Sequence, residues 1–151
     1  MRVGIAIGHT AYTLKEPLVR ELRAAGHEVV DFGTPSDSPD DDYTDYTLPV
    51  AQAVAERSVE RGIVVCDNPI GACIAANKIG AVRAGACGDI GSARQGVQSD
   101  NMNVLCVGAV PAFEPAWDLI QAFLAAQFDK ADCHLRALMK IERLEEPGIH
   151  G

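Results

Sequence analysis

Apolar residues recur along the chain in two rhythms. Short unbroken runs rich in valine, isoleucine and alanine alternate with longer stretches in which apolar positions are spaced three or four apart. Residues 2–8 (RVGIAIG) form a first strand ending in glycine. The TLKE segment at 13–16 has the form of a capping box, with Pro17 tolerated in the first turn. Leu18, Leu22 and Ala25 then keep helical spacing up to Gly26. Residues 27–32 (HEVVDF) form a second strand, and residues 34–46 (TPSDSPDDDYTDY) an acidic, proline-containing solvated loop. A helix is expected over 48–61, closed by Gly62, with apolar positions at 50, 51, 54 and 55. A nearly all-apolar strand follows at 62–66, then a short helix at 70–78. A fourth strand (81–87), a helix (91–98), a fifth strand (103–107) and a helix (115–128) complete the alternation. A C-terminal helix occupies about 131–146.

Strand–helix alternation repeated about five times, with no repeat or linker, predicts a single α/β domain over 1–151. The expected architecture is a Rossmann-like, doubly wound five-stranded parallel sheet of order 2-1-3-4-5, with helices on both faces. Ligands of such sheets bind beyond the carboxyl ends of the strands, where strand order reverses. That point lies between the first and third strands, so Gly8-His9 and Cys66 are expected at one crevice.

Charge narrows the choice of partner. The 21 acidic residues outnumber 13 basic ones, giving a formal net charge of −8. This argues against nucleic acid, whose phosphates need a basic surface. No apolar run reaches membrane-spanning length and Met1 leads straight into a strand, so a cytoplasmic protein is expected. The five cysteines (66, 73, 87, 106 and 133) are odd in number and form no CxxC pair. Reduced thiols, most of them small core residues, fit this better than disulfides or a zinc site.

Cys66 stands apart, because it ends the third strand just before the turn Asp67-Asn68-Pro69. There it can act as base, nucleophile or metal ligand once its pKa falls, and the next helix points its positive end at the crevice. The ordinary alternative is a packing role. Without CxxC, and with one histidine nearby, a thiol hydrolase or oxidoreductase is disfavoured.

Longer stretches carry a resemblance. HEVVDFGT (27–34), DYTDYTLPVAQAVA (42–55), IAANK (74–78), SAR (92–94) and MNVLCVGA (102–109) are similar, in order and spacing, to the type B ribose-5-phosphate isomerases and galactose-6-phosphate isomerase subunits. The resemblance implies interconversion of aldose and ketose through an enediol, with a base moving a proton and polar groups holding the oxyanion. It places the base at Cys66 and a histidine at His9, and it implies no metal or other cofactor. It also implies a homodimer or homotetramer, with residues near 99–100 completing the neighbour's pocket.

Departures from that pattern bear on the substrate. The Gly-Thr-Gly-x-Gly turn is replaced by Asp67-Asn68-Pro69-Ile70-Gly71; only Gly71 survives, and Pro69 has no N–H to donate. Asn68 is the candidate oxyanion donor, while Asp67 adds negative charge beside the site. The acid before His9 becomes Gly8, and a His-Asn pair becomes Ser99-Asp100. One phosphate arginine falls on Val110; the other two fall on Cys133 and Ala137, with His134 kept and Arg136 one residue out of register. These changes predict a small sugar or sugar-like carbonyl substrate other than ribose 5-phosphate, bound through Asp67, Gly71, Ser99, Asp100, His134 and Arg136. Two alternatives remain open: a non-catalytic or half-catalytic subunit of a hetero-oligomeric isomerase, and a small-ligand binding protein on the same scaffold. Lys78, Arg83, His27 and His150 are expected to be structural or solvated.

Overall fold

The computed structural model describes residues 1–33, 40–109 and 112–147. Among them, five strands form one parallel sheet: β1 (Arg2–Ile7), β2 (Glu28–Asp31), β3 (Arg61–Cys66), β4 (Ala84–Ala86) and β5 (Val104–Gly108). Helices α1 (Lys15–Ala24), α2 (Tyr43–Ala55), α3 (Pro69–Ala76), α4 (Ile90–Asp100) and α5 (Phe113–Ala125) connect or follow them, and α6 (Asp132–Glu142) ends the fold. No helix among the described residues is long and apolar enough to cross a membrane.

The strand order is β2-β1-β3-β5-β4, which corrects the expected 2-1-3-4-5. Val104–Val107 are all buried, as an interior strand must be, whereas the three-residue Ala84-Gly85-Ala86 is partly exposed and pairs only with β5. A short, weakly apolar strand suits an edge. The exchange leaves the reversal between β1 and β3 in place.

Other boundaries move for local reasons. α2 begins inside the segment expected to be loop, because the Asp42 N–H donates to the Asp45 carboxylate at 3.0 Å and caps the first turn. It stops at Ala55, where Arg57 turns left-handed (φ 61°), and Gly62 belongs to β3 rather than to a helix end. The TLKE segment does not cap α1: a 3₁₀ helix, His9–Leu14, runs into it, and Leu14 caps without a side-chain bond. Gly26 (φ 91°) closes α1 as expected.

Alternation within the strands sorts the core into two layers. Val3, Ile5, Ile7, Ile63, Val65, Leu105 and Val107 face α1, α4 and α5, around Leu18, Leu22, Val97, Ile120 and Phe123. Ala6, Val64, Cys66, Val104 and Cys106 face α2 and α3. The second face carries smaller side chains, so α2 lies close to the sheet. At Gly62 a Cβ would come within 2.5 Å of the Val50 side chain. Arg61 ties the start of β3 to the end of α5, donating to the Phe123 and Ala126 carbonyls and lying 5.3 Å over the Phe123 ring.

Gly62→Ala should therefore overpack the α2 face and destabilise the fold by about 1–3 kcal/mol. Urea unfolding with an unchanged m-value and a lower midpoint would show it.

Candidate active site

β1 and β3 stay paired to their carboxyl ends, and the chain then leaves them toward opposite faces of the sheet, to α1 from β1 and to α3 from β3. The Gly8 N–H donates to the Val65 carbonyl at 2.8 Å, and His9, half-buried, opens the 3₁₀ helix immediately beyond. Cys66 ends β3, and its carbonyl accepts the Ala109 N–H at 2.7 Å, which fixes the turn against β5. Asn68 caps α3: its Oδ1 accepts the Gly71 N–H at 2.9 Å, leaving Nδ2 as the atom able to donate to a substrate oxygen. Pro69 occupies the first helical position, where its missing N–H costs nothing.

Gly71 is needed for packing. A Cβ there would meet Asn68 Nδ2 at 2.6 Å and the Tyr43 ring at 2.7 Å. Tyr46, one turn further along α2, presses its hydroxyl over Gly8 beside Cys66. The two tyrosines were hidden from the sequence reading by their acidic surroundings. The signal was present in Asp42 and Asp45, spaced as an N-terminal cap, with Tyr43 and Tyr46 three apart on one helix face.

The thiol does not meet solvent as expected. Cys66 is 0% exposed, closed beneath Tyr46 and the following turn. Burial pushes its pKa up, and the neighbouring Asp67 carboxylate acts in the same direction. The Asn68 backbone N–H and the Tyr46 hydroxyl oppose that shift by donating to sulfur. Cys106, on the same face of β5, is raised further, again chiefly by burial. Asp67 itself is exposed, so its charge reaches the mouth of the crevice.

The remaining expected site residues stand elsewhere. α4 runs antiparallel to the strands, and so delivers Ser99 and Asp100 to the amino-terminal end of the sheet, opposite Cys66. α6 begins at that same end, where the Asp129 N–H donates to the Gln98 carbonyl at 3.1 Å. His134 on α6 contacts the Asp129 carboxylate at 2.6 Å; the Ala131 N–H, and after it this contact, lower the pKa of Asp129. Arg136 is exposed on the same helix. Within one chain, then, Cys66, His9, Asp67, Asn68 and Gly71 form one group, and Ser99, Asp100, His134 and Arg136 another. Val110 lies outside the described residues.

Residues 3–141 match the family model described as Ribose/Galactose Isomerase. The chain belongs to that family. It is 37% identical over 129 residues to the ribose-5-phosphate isomerase B of Escherichia coli K12, covering 85% of this chain and 86% of that one. It is 35% identical over 130 residues to the D-erythrulose-4-phosphate isomerase of Pectobacterium atrosepticum, covering 84% and 86%. The ribose-5-phosphate isomerase B of Mycoplasma genitalium, solved with bound ribulose 5-phosphate, superimposes with a TM-score of 0.90 at 33% identity, covering 97% of each chain.

Arg83 plays the structural part expected of it, donating from Nε to the Asn101 carbonyl at 2.7 Å. Lys78 and His27 stand outside both groups, Lys78 just beyond α3 and His27 beside the amino terminus at 3.3 Å. Among the described residues no group of three or more histidine, cysteine or acidic side chains is placed to hold a metal ion.

Stability should fall at alkaline pH. Cys66 and Cys106 have folded pKa values above their unfolded ones, so the unfolded chain loses these protons first. The fold is fully favoured below the ordinary thiol pKa of about 8.5 and loses ground as pH rises through it. Urea midpoints should drop from neutral to alkaline pH, and Cys106→Ala should flatten that slope.

Proposed function

We propose that this chain is an aldose–ketose isomerase that moves a proton between adjacent carbons through an enediol, acting on a substrate other than ribose 5-phosphate. The observation that carries the reading is Cys66 at the end of β3, held at the β1–β3 reversal with His9 and Asn68 on either side. Cys66 abstracts and returns the proton, His9 exchanges a proton with the substrate oxygens, and Asn68 Nδ2 donates to the developing oxyanion. No cofactor enters this chemistry.

The electrostatics support a change of substrate. The relatives named above include isomerases of ribose 5-phosphate and erythrulose 4-phosphate, both anionic sugars. Here Asp67 adjoins the thiol, and the pKa of Tyr46 is raised chiefly by burial, with Asp67 and Asp41 adding to it. Charge-assisted hydrogen bonds from arginine are worth roughly 1.5–3 kcal/mol each. The family resemblance implies arginines where this chain has Val110, Cys133 and Ala137, and without them phosphate would lose several such contacts. An uncharged sugar or sugar-like carbonyl compound suits the crevice better.

The active unit in this reading is a homodimer or homotetramer. One chain's Ser99, Asp100, His134 and Arg136 lie at the wrong end of its own sheet, and an assembly that sets them over a neighbour's Cys66 completes the pocket. α6 offers an uncovered apolar face for it, with Leu135, Met139 and Ile141 exposed.

A second reading is favoured by the closed thiol. A chain whose Cys66 stays covered would serve as the half-catalytic or non-catalytic subunit of a hetero-oligomer, or as a binder of small ligands. Solvent-deuterium exchange with the purified chain separates these readings. Phosphorylated and unphosphorylated aldoses and ketoses are compared, and deuterium is sought next to the carbonyl. Exchange with an unphosphorylated sugar, abolished in Cys66→Ala, is the expected result. Full activity of Cys66→Ala would remove sulfur from the mechanism, and a preference for ribose 5-phosphate would overturn the substrate assignment.

A further inference from the structure

Position 8 and Tyr46 fit closely against one another. Gly8 is the last residue before the 3₁₀ helix, and it has no side chain to occupy the crevice floor. A Cβ added there would collide with the Tyr46 hydroxyl, lie 3.0 Å from the carbon bearing it and 3.4 Å from the Cys66 Cβ. The phenol therefore occupies the space a side chain at position 8 would need, directly beside the thiol.

Tyr46 is only 3% exposed, so water is poorly placed to satisfy its hydroxyl. The Cys66 sulfur is its neighbour there, and the interaction between the two side chains lowers the thiol's pKa against the stronger, opposing effect of burial. We propose that Tyr46 is the positioning residue of Cys66: its hydroxyl, admitted over the sheet by Gly8, donates to the sulfur and holds it ready for proton transfer. This rests on the reading of Cys66 as the base.

The direction of donation follows from chemistry. A phenol ordinarily ionises above a thiol, and burial raises both groups. Tyr46 thus keeps its proton while sulfur loses one, so O–H donates and thiolate accepts. The surroundings leave few other sources of stabilisation for that charge. The Asn68 backbone N–H is a second donor from the turn, whereas Asp67 repels the thiolate. Cys106 faces it from β5, and Asp41 bears on the phenol from the start of α2. Without the hydroxyl, a fully buried thiolate would keep a single donor against an adjacent carboxylate.

Titration of the sulfur tests this without knowledge of the substrate. Thiolate ultraviolet absorbance is followed against pH, and subtraction of Cys66→Ala isolates Cys66 from the other four cysteines. Tyr46→Phe keeps the ring and removes the donor. Its Cys66 titration should move to higher pH by about one unit, a tenfold loss of thiolate at any pH below the midpoint. Gly8→Ala, which pushes the hydroxyl aside while leaving it present, should shift the same titration upward. Should Tyr46→Phe unfold, Gly8→Ala carries the test alone. An unmoved or lowered titration in a folded variant overturns the proposal. Because the readout is the sulfur's own ionisation, it is independent of turnover: exchange activity surviving in Cys66→Ala would defeat the assignment of the base, whatever the titration shows.

Discussion

The site depends on how closely α2 approaches the sheet. Small residues on one face of β1, β3 and β5 (Gly4, Ala6, Gly62, Cys66, Cys106) let the helix settle until Val50 lies against Gly62 and Tyr46 lies over Gly8. Close-packed interiors transmit such choices along an element, because a helix cannot approach at one turn and stand off at the next. The contact that fills the core at Gly62 therefore also sets the height of Tyr43 and Tyr46 above the strand ends. Those two rings shape the floor of the crevice, press on Gly71 and Gly8, and seal the thiol.

Sealing has opposing consequences for chemistry. A buried thiol resists ionisation, and the Asp67 carboxylate next to it adds to the resistance. The same seclusion strengthens every hydrogen bond made to sulfur, since the effective dielectric is low. Reactivity at Cys66 is thus a balance between a desolvated charge and two donors, the Asn68 N–H and the Tyr46 hydroxyl. Relatives in the ribose/galactose isomerase family share the scaffold over nearly its whole length.

Topology divides the remaining polar residues. In a parallel sheet every connecting helix returns from the carboxyl end to the amino end, so residues at a helix start and at its finish lie far apart. Asn68 and Gly71 open α3 and belong to the crevice, whereas Ser99 and Asp100 close α4 and cannot reach it. His134 and Arg136 follow α5 back to the same distant end. The two groups therefore lie at opposite ends of the sheet within one chain.

Much of this was legible in the sequence because it rests on local chemistry. Unbroken apolar runs specify buried strands, three-and-four spacing specifies helices, and the order of the elements specifies a parallel sheet with its reversal between β1 and β3. The placement of Cys66 and His9 together followed from that alone. Strand order at the far edge did not, since β4 and β5 are separated by burial rather than by sequence position. The start of α2 was masked by its aspartates, which read as a solvated run until Asp42 and Asp45 are seen to cap a helix. Residue identity fixed which chemical groups the chain carries: a thiol, an imidazole, a carboxamide and an excess of carboxylates. Only the packing of α2 on a face of small residues decided that the thiol would be covered, and by what, because contacts between residues 8, 46 and 66 come from three separate elements and leave no periodic trace in the chain.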